Sequence, residues 1–591
     1  MKIKFTYLLN IILILGLSIT TQAANITYKI TGISGIALHN VQSRLDNANS
    51  SLSAQPNVDE LNHFANDRIL KEVNLALQPY GYFQGQVEII SIHDTPPYSI
   101  NLNITPGQPV ILHKVEIVIT GEGKNSEAFR RLQQHADIQV GQPMNSNKYE
   151  LLKTAFFDLA ANTGYFKAKM LKSEMQVNLI THEAFAIIHF DTGPRYRIGT
   201  VTYSGSKLSD NFLRRFQPFK EGEYYSAQKI QRLQSNLSGS GYFQTVSVTP
   251  APEQSKNFYI PIDVSTSPID SQQYTFGIGY GTDTGIRGLA AVNFRRLGKK
   301  GQHADAILRA SQIVQNLSFN YYIPGKNPVK SQYVLSAVGE NYNQKITTSN
   351  NTQISNDSVP QQPRNTAKLF RTSARYDTHL DGWKQSIALN LLFEHFQLNG
   401  QPKQKTFITY PSANWYKAFW TDNKTSPTRG VSLTINISGA VKKALSERSY
   451  FRAITTLRTL YTWHDAWRFI GRAQIGEIAT QDINALPYSL QFYTGGADDL
   501  RGFRYNSIGP GHHLLVSSAE LQRKIASNWY IEWFYDIGNV SDKYYGQMNQ
   551  GTGPGLVWHS PIGSFELTLA NILVPKGGAK RRIQFSFGTD L

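Results

Sequence analysis

The amino-acid sequence predicts a chain in two parts: three small α+β modules, followed by an all-β transmembrane barrel of about sixteen antiparallel strands. The modules are predicted by a Gly-Tyr-Phe tripeptide that occurs three times, each time after an amphipathic helical pattern. The barrel is predicted by a change of pattern near Ser271, after which bulky apolar residues alternate with small or polar ones. Alternation with a period of two is typical of strands that have one apolar face.

Composition limits the classes of function. The chain has 591 residues, which is too long for one ordinary domain. Aromatic residues make up 12% of it, as expected of β-structure with one wet and one apolar face. It has no cysteine, so disulfides, thiolate metal ligands and cysteine nucleophiles are excluded. The net charge of +17 comes without a Lys/Arg block of the nucleic-acid-binding type, and we therefore expect solvated surface charge and no nucleic-acid partner.

The first 23 residues have the pattern of a secretory signal peptide. Lys2 and Lys4 precede an apolar stretch at residues 8–17, and the small residue Ala23 precedes the expected cleavage point. An uncleaved membrane anchor would need about 20 apolar residues, and Asn10 interrupts a stretch that is already shorter. Cleavage would remove two lysines and lower the net charge from +17 to +15. We therefore expect an exported protein, one that can enter a membrane only as a closed barrel.

The Gly-Tyr-Phe tripeptides mark three modules, predicted at residues 24–106, 107–193 and 194–268. The repeated residues are Gly81, Tyr82, Phe83, Gly164, Tyr165, Phe166, Gly241, Tyr242 and Phe243. Each glycine is expected to end a helix at its C′ position, and each aromatic pair to cover that helix on a small sheet. The helices are predicted at residues 61–77, 149–161 and 228–237, each before one strand of its sheet.

A further strand is expected at the edge of each sheet, at residues 99–104, 186–190 and 259–264. Glycine and proline at residues 107–109 and 193–195 then form semi-rigid joints, and the next module opens with a strand at residues 111–120 or 198–203. A chance recurrence of the tripeptide is the competing interpretation, but the matching helical pattern before each copy disfavours it.

Residues 269–591 are predicted to form the barrel. Period-two alternation is clearest at residues 274–281, 529–537, 565–569 and 583–587. At roughly twenty residues per strand and turn, this segment holds about sixteen strands, an even number as in bacterial barrels. A soluble β-sandwich or propeller is the alternative, which the aromatic content and the absence of a blade repeat disfavour.

A long loop interrupts the barrel pattern between the strand-like runs 467–481 and 512–525. Loops of this length are usually functional or disordered. Residues 495–505 contain three glycines, two of them adjacent, with two aspartates, two arginines and two aromatics, a composition that suits neither a simple turn nor a free tail. An arginine next to a glycine can lie close against a wall and donate two hydrogen bonds to one carboxylate.

Period-two parity supplies that carboxylate. Asp536 alternates with Tyr535 and Ile537 and should face the barrel lumen, and Glu520 alternates in the same way with Ala519 and Leu521. We therefore expect the loop residues Arg501, Gly502 and Phe503 to be anchored in the lumen by Glu520 and Asp536. The alternative is a solvated Arg501 and an unpaired Asp536 in a wet channel.

These residues also carry a resemblance to a known family. Leu500-Arg501-Gly502-Phe503 resembles the Val/Ile-Arg-Gly-Phe/Tyr signature of the BamA/TamA outer-membrane assembly superfamily, with Leu500 in place of the usual β-branched residue. Residues 534–538 resemble the superfamily's F-x-D-x-G inner-wall motif, and residues 560–563 resemble the turn before its penultimate strand. The repeated modules are similar to its POTRA modules, and a count of three, rather than five or two, is closest to the TamA branch.

The resemblance implies an outer-membrane insertase that helps β-barrel proteins, such as autotransporters, to insert and fold. It implies a barrel among outer-membrane lipids, modules in the periplasm, a TamB-like periplasmic partner, no cofactor and no enzymatic activity. The third module should dock on the periplasmic rim, and the first two should bind a partner or client through an exposed strand edge. The alternative function is a transporter that passes unfolded protein, as in two-partner secretion, or lipid.

The junction of the first and last strands, the seam of the barrel, distinguishes these two functions. An insertase needs a weak seam, whereas a secretion pore needs a stable, closed wall. The seam is predicted to consist of Tyr274, Phe276, Gly277, Gly279 and Gly281 on the first strand and of Phe585, Phe587 and Gly588 on the last. Glycine weakens a strand, so this composition favours a seam that opens. The alternative is that small inward residues merely make room for the loop, and both interpretations remain open.

The other motifs predict no chemistry. His512 and His513 are adjacent on a predicted strand, so they point to opposite faces and cannot bind one metal ion together. The glycine-rich runs at residues 277–281 and 551–555 lack the helix and lysine of a phosphate-binding loop. Residues 347–366 are polar and are predicted to form an exposed loop. We therefore expect no metal site and no enzyme.

Overall fold

A computed structural model of the protein describes residues 26–53, 55–345, 364–398, 401–422, 428–464, 466–544, 546–560, 563–574 and 581–588. The predicted signal peptide, residues 1–23, lies outside them, as do residues 347–363 of the predicted polar loop and residues 561–562 of the turn. The chain forms two compact units. The first runs up to Val201 and includes Phe219–Gln231 and Thr249–Ile262, and the second contains Thr202–Pro218, Arg232–Val248 and Asp263–Leu591.

Three three-stranded sheets with helices fall within the three predicted module segments. The first contains β1 (Thr27–Thr31), α1 (Gly35–Ala48), α2 (Val58–His63), α3 (Leu70–Leu77), β2 (Gln86–His93) and β3 (Ser99–Thr105), with a π-helix at Phe64–Ile69. The second contains β4 (Ile111–Thr120), α4 (Glu127–Gln134), α5 (Ser146–Thr163), β5 (Lys169–Asn178) and β6 (Glu183–Asp191). The third contains β7 (Arg197–Ser204), α6 (Asp210–Leu213), α7 (Ala227–Ser238), β8 (Phe243–Pro250) and β9 (Tyr259–Pro268).

The prediction that the last strand of each module lies at a sheet edge is wrong. The strand orders are β1-β3-β2, β4-β6-β5 and β7-β9-β8, so the last strand is central in every module. In the first module, β3 pairs in parallel with β1 on one side and antiparallel with β2 on the other. The alternation of β3 buries Ile100, Leu102 and Ile104 against the helices, but alternation reports only which face is covered and not how many neighbours a strand has. The edges belong to the other strands.

Gly81 and Gly164 end their helical segments in the left-handed region, as predicted, whereas Gly241 lies three residues beyond the end of α7. Their φ angles are +87° at Gly81, +93° at Gly164 and +77° at Gly241, values that a side chain disfavours. Tyr165 is buried in its own module, where its ring meets Phe129 edge-on at 5.5 Å. Its neighbour Phe166 does not cover that module's helix.

The phenylalanine of the tripeptide instead reaches the next module, which corrects the predicted role of the aromatic pair. Phe166 lies 4.9 Å from the ring of Tyr225 and 5.5 Å from that of Tyr196, and Phe83 packs in the same way against the core of the second module. The backbone continues the link, since Gly164 O accepts a hydrogen bond from Tyr196 N at 2.8 Å. Within the first unit, each tripeptide thus joins two consecutive modules as well as ending a helix.

The second unit contains a closed barrel of sixteen antiparallel strands, the predicted number. The strands are β10 (Gln272–Gly281), β11 (Gly285–Leu297), β12 (Gln302–Ala310), β13 (Val314–Pro324), β14 (Ser331–Lys345), β15 (Arg364–Leu380), β16 (Trp383–Gln397), β17 (Gln404–Phe419), β18 (Arg429–Ala440), β19 (Tyr450–Trp463), β20 (Trp467–Thr480), β21 (His513–Ala526), β22 (Trp529–Ser541), β23 (Asn549–Ser560), β24 (Gly563–Val574) and β25 (Arg581–Gly588). Residues 364–366, predicted as the end of a loop, therefore begin a strand.

The two faces of the barrel wall differ as the alternation predicts. On β22, Ile531, Trp533 and Tyr535 point outward and are 46%, 59% and 40% exposed, whereas Glu532 and Asp536 point inward and are buried. On this strand apolar side chains therefore cover the outer wall, and carboxylates line the inner one together with Phe534. No helix in the described ranges is both long enough and apolar enough to cross a lipid bilayer.

Two segments of the third module, 202–218 and 232–248, belong to the barrel's unit and contact the turns at one end of it. The Tyr242 hydroxyl donates to Gly301 O at 2.5 Å, in the turn between β11 and β12. Arg215 donates to Pro324 O at 3.1 Å and to Lys326 O at 3.3 Å, next to the turn between β13 and β14. A Cβ atom on Gly301 would overlap the Phe212 ring, so this contact requires glycine. These segments dock on the rim where the strands are joined by short turns.

Candidate functional site

The segment between β20 and β21, residues 481–512, folds back into the barrel, and we call it the lumen loop. Two 3-10 turns, Ile483–Ala485 and Tyr488–Leu490, begin it, and isolated bridges join Thr494 to Ile508 and Gly496 to Leu500. Gly495 and Gly496 adopt φ angles of +111° and +115°, which favour glycine. The chain can therefore double back here and place Leu500 and Arg501, both buried, against the inner wall.

Arg501 is anchored to Asp536 on β22 by three hydrogen bonds. Its Nε donates to Asp536 Oδ2 and its Nη2 to Asp536 Oδ1, both at 2.8 Å, and its backbone N–H donates to Oδ2 at 2.9 Å. Ser518 on β21 completes the contact, because it accepts from Arg501 Nη2 at 3.0 Å and donates to Asp536 Oδ1 at 2.6 Å. The structure thus brings the predicted arginine and aspartate together in the bidentate geometry expected from the sequence.

Three further carboxylates surround the same guanidinium. Glu520 Oε1 lies 2.8 Å from Arg501 Nη2, and Glu532 Oε1 and Glu566 Oε1 each lie 3.8 Å from Nη1. The guanidinium carbon also lies 3.8 Å above the Phe534 ring. The sequence analysis included Glu520 but missed Ser518, Glu532 and Glu566. Parity could have found the two glutamates, because Glu532 shares its face with Asp536 and Glu566 alternates with Phe565 and Leu567.

The wall beside the anchor is made of small residues because the loop backbone approaches it closely. A Cβ atom on Gly551 of β23 would lie 2.2 Å from Arg501 O. Gly502 has a φ of +95° and donates its backbone N–H to Gln584 Oε1 on β25 at 3.0 Å. Phe503 is half-buried and closes a turn through its N–H to Leu500 O at 3.4 Å, outside the carboxylate cluster.

A second anchor holds the beginning of the lumen loop to a different part of the wall. Ser489 N donates to Glu394 Oε1 on β16 at 3.2 Å, and the Ser489 hydroxyl binds the other carboxylate oxygen. The Tyr488 ring lies 4.3 Å from that of Tyr342 on β14, and Gln344 donates to Tyr505 O. The loop is therefore fastened both to β14–β16 and to β21–β25. The sequence analysis missed this anchor, since residues 391–396 show no clear alternation around Glu394.

The first and last barrel strands, β10 and β25, meet over a short length, and we call their contact the seam. β10 pairs with β11 from Gln272 to Gly281, but with β25 only through Tyr280 opposite Phe587 and Gly281 opposite Ser586 within the described residues. Past the paired residues, Thr282 N donates to Phe585 O at 2.9 Å. By comparison, β14 pairs with β15 from Ser331 to Lys345.

The predicted seam residues divide between the two faces of β10. Tyr274 and Phe276 point outward and are 62% and 78% exposed, and Gly277, Gly279 and Gly281 lie on the inward face. On the last strand, Phe587 and Gly588 pair with β24 through Phe565 and Ser564. The residues of the tripeptide repeats lie between a helical segment and the next strand of each module, with Phe243 opening β8, and they take no part in the described loop anchors.

Comparisons with known proteins agree with this architecture. Residues 296–591 match the model of the Omp85 superfamily domain, residues 196–266 match a POTRA model described as a surface antigen variable number repeat, and residues 27–106 match the POTRA domain TamA domain 1. The outer membrane protein assembly factor BamA of Neisseria meningitidis serogroup B is 21% identical over 599 residues, which cover 89% of this chain and 72% of that protein.

Two solved structures extend the comparison. BamA from Haemophilus ducreyi, crystallised without POTRA domains 1–3, superposes with a TM-score of 0.67 at 16% identity and covers 81% of this chain and 99% of its own. This likeness concerns the fold. CdiB from Acinetobacter baumannii gives a TM-score of 0.47 at 13% identity over 82% of this chain and 90% of its own.

Proposed function

Because the chain belongs to the Omp85 superfamily, we propose that it inserts and folds other β-barrel proteins in the outer membrane by pairing their strands with its own seam. The barrel lies in the outer membrane, and the N-terminal modules lie in the periplasm. The protein is an outer-membrane protein of the assembly or secretion class. Assembly of other barrels, rather than secretion, is the activity that we assign to it.

The observation that carries the proposal is the short seam. Closed barrels have no free edges, but β10 keeps eight of its ten residues, 272–279, without a partner on β25 among the described residues. An unpaired edge presents backbone N–H and C=O groups that can bind an incoming strand by β-augmentation. Because two residue pairs close the seam within the described part of β25, few of the described hydrogen bonds must break before such a strand can enter.

The lumen loop supports lateral insertion over passage through the lumen. Its two anchors fasten it to well-separated parts of the wall, at β16 and at β22, so it fills the space that a secreted chain would need. Apolar loop side chains, among them Leu486, Leu490 and Phe492, pack in one buried cluster with wall residues of β16, β17 and β20. Transport through the lumen would require the loop to leave both anchors, and it remains the alternative outcome of the experiment below.

A TamA-like role with a TamB-like periplasmic partner is the finer form of the proposal, with autotransporters among the clients. It is supported by the match of residues 27–106 to the first POTRA domain of TamA. The edge strands available for a partner are β2 in the first module and β5 in the second, since each pairs with a neighbour on one side only. Exposed apolar side chains on these edges, such as Ile90 and Leu171, fit a partner strand.

The test is a covalent lock across the seam. Tyr280 and Phe587 are direct partners and the chain has no cysteine, so Tyr280→Cys with Phe587→Cys should form a disulfide on oxidation. We expect the oxidised lock to stop client insertion into liposomes and reduction to restore it. The matched control is Phe370→Cys with Phe393→Cys, an outward pair between β15 and β16 that should lock without effect. If the locked seam inserts clients at the unlocked rate, lumen transport replaces strand pairing as the function.

A further inference from the structure

We propose that Asp283, in the turn between β10 and β11, is a positioning residue that clasps the seam by binding the lumen loop and the last strand together. The inference rests on the proposed function only for its consequence, the release of the β10 edge. In this arrangement the side-chain contacts of Asp283, with the last strand and with the loop, hold the seam closed more than strand pairing does.

Asp283 is almost fully buried and binds three groups from two separate parts of the chain. Its Oδ2 accepts the Ala497 backbone N–H of the lumen loop at 2.7 Å and the Gln584 side-chain N–H of β25 at 2.9 Å. Its Oδ1 lies 3.0 Å from Arg582 Nη2, also on β25. Since Asp283 itself follows directly on the end of β10, one carboxylate connects the first strand, the last strand and the loop.

Gln584 makes the same connection from the other side. Its side chain points inward, is 2% exposed and donates to Asp283, while its Oε1 accepts the backbone N–H of Gly502 at 3.0 Å. Gly502 is the residue next to Arg501, whose guanidinium holds the loop to Asp536. The loop anchor and the clasp are therefore adjacent, and a loop that leaves its anchor must also withdraw Gly502 from Gln584.

The pairing between the strands is weak beside these contacts. Besides the two paired residues, the strands exchange Thr282 N to Phe585 O at 2.9 Å and Phe585 N to Thr282 Oγ1 at 3.2 Å, which are bonds between neutral groups. The clasp uses an ionised carboxylate, and hydrogen bonds to ionised groups are the stronger kind. Loss of Asp283 should thus loosen the seam although no backbone hydrogen bond between the two strands is removed.

Two variants of the full-length protein in lipid nanodiscs test the clasp, with hydrogen–deuterium exchange of the amides of residues 280–282 and 585–587 as the readout. Asp283→Asn removes the negative charge, and Gln584→Glu keeps the acceptor for Gly502 but sets a second carboxylate against Asp283. Each should raise exchange at the seam about tenfold. The matched control is Glu447→Gln, in the loop before β19, whose carboxylate also accepts a backbone N–H, from Phe407 at 3.1 Å.

The double variant separates a clasp from simple destabilisation. In Asp283→Asn with Gln584→Glu the repulsion is gone, so the seam should exchange more slowly than in Gln584→Glu alone, whereas two unrelated losses would add. Unchanged exchange in both single variants, or additive effects in the double, would overturn the clasp. Client insertion is measured in parallel and tests only the proposed function. If the seam of a variant exchanges faster but clients are inserted at the wild-type rate, the clasp is supported and the proposed insertase function is contradicted.

Discussion

Arg501 lies among more carboxyl groups than it can pair with. One guanidinium faces Asp536, Glu520, Glu532 and Glu566, and only the aspartate receives the paired geometry. A planar guanidinium can bind in this way while its face rests on Phe534, and the compact ammonium of a lysine cannot. The alternation of β22 was sufficient to predict that Asp536 pairs with Arg501, because the direction in which a strand residue faces is a local property. The contacts of Asp283 and Gln584 were beyond prediction, since they depend on the path of a loop more than two hundred residues away in sequence from Asp283.

Arg501→Ala should undock the lumen loop while the barrel still inserts. Removing one partner of a buried ion pair costs roughly 3–5 kcal/mol, because the remaining carboxylates lose their counter-charge. Limited proteolysis should cut within residues 481–512 in the variant and not in the wild type, and client insertion should slow. Gln481→Ala, at an exposed position in the same loop, is the control and should resemble the wild type. Equal protease resistance of the two variants would contradict the anchor.

At the scale of elements, strand pairing decides what periodicity can and cannot predict. Alternation predicted the inward and outward faces of β22, and the length of the segment predicted the number of barrel strands. The prediction of edge positions failed for β3, β6 and β9, which are central. In β3 and β6 the cause is pairing with an earlier parallel strand, which leaves no mark on the alternation. The glycines of β23 show a third case. The sequence predicted only that Gly551 and Gly553 do not belong to a phosphate-binding loop. In the structure, Gly551 makes room for the backbone of Arg501, and Gly553 makes room for the carbonyl oxygen of Leu569 on β24.

Gly551→Ala should displace the lumen loop from β23. The added Cβ would lie 2.2 Å from Arg501 O, so either the loop or the strand must move, at a cost of about 1–3 kcal/mol. Gly339→Ala on β14 is the matched control, because a Cβ there meets nothing within 4 Å. Thermal unfolding and loop proteolysis of both variants measure the difference. A Gly551→Ala protein as stable and as protease-resistant as Gly339→Ala would mean that the loop backbone does not lie against this strand.

At the scale of the whole molecule, the chain consists of sheets that expose edges and a barrel that nearly closes its own. The first module offers β2, paired on one side only, and the barrel offers residues 272–279 of β10, which have no partner on β25 among the described residues. Both edges can bind an extended segment through backbone hydrogen bonds, which do not depend on the bound sequence. The fold class and the repetition of the modules could be predicted from the sequence because both arise from local periodicity. The linking role of Phe83 and Phe166 was not, since it depends on how consecutive modules pack.

Deleting residues 24–106 should abolish binding of the periplasmic partner without preventing barrel insertion. The first sheet has its own core, in which Val41, Leu45, Ile69 and Leu102 are fully buried, so its removal takes away one complete folded module. The barrel keeps its rim contacts, because Tyr242 and Arg215 lie in the third module. Heat-modifiable migration of the barrel and pull-down with the TamB-like partner are the two measurements. Substitution of Ile90 by lysine on the β2 edge is the finer control, and it should weaken binding while the module remains folded. Partner binding that survives the deletion would place the docking site on the second or third module.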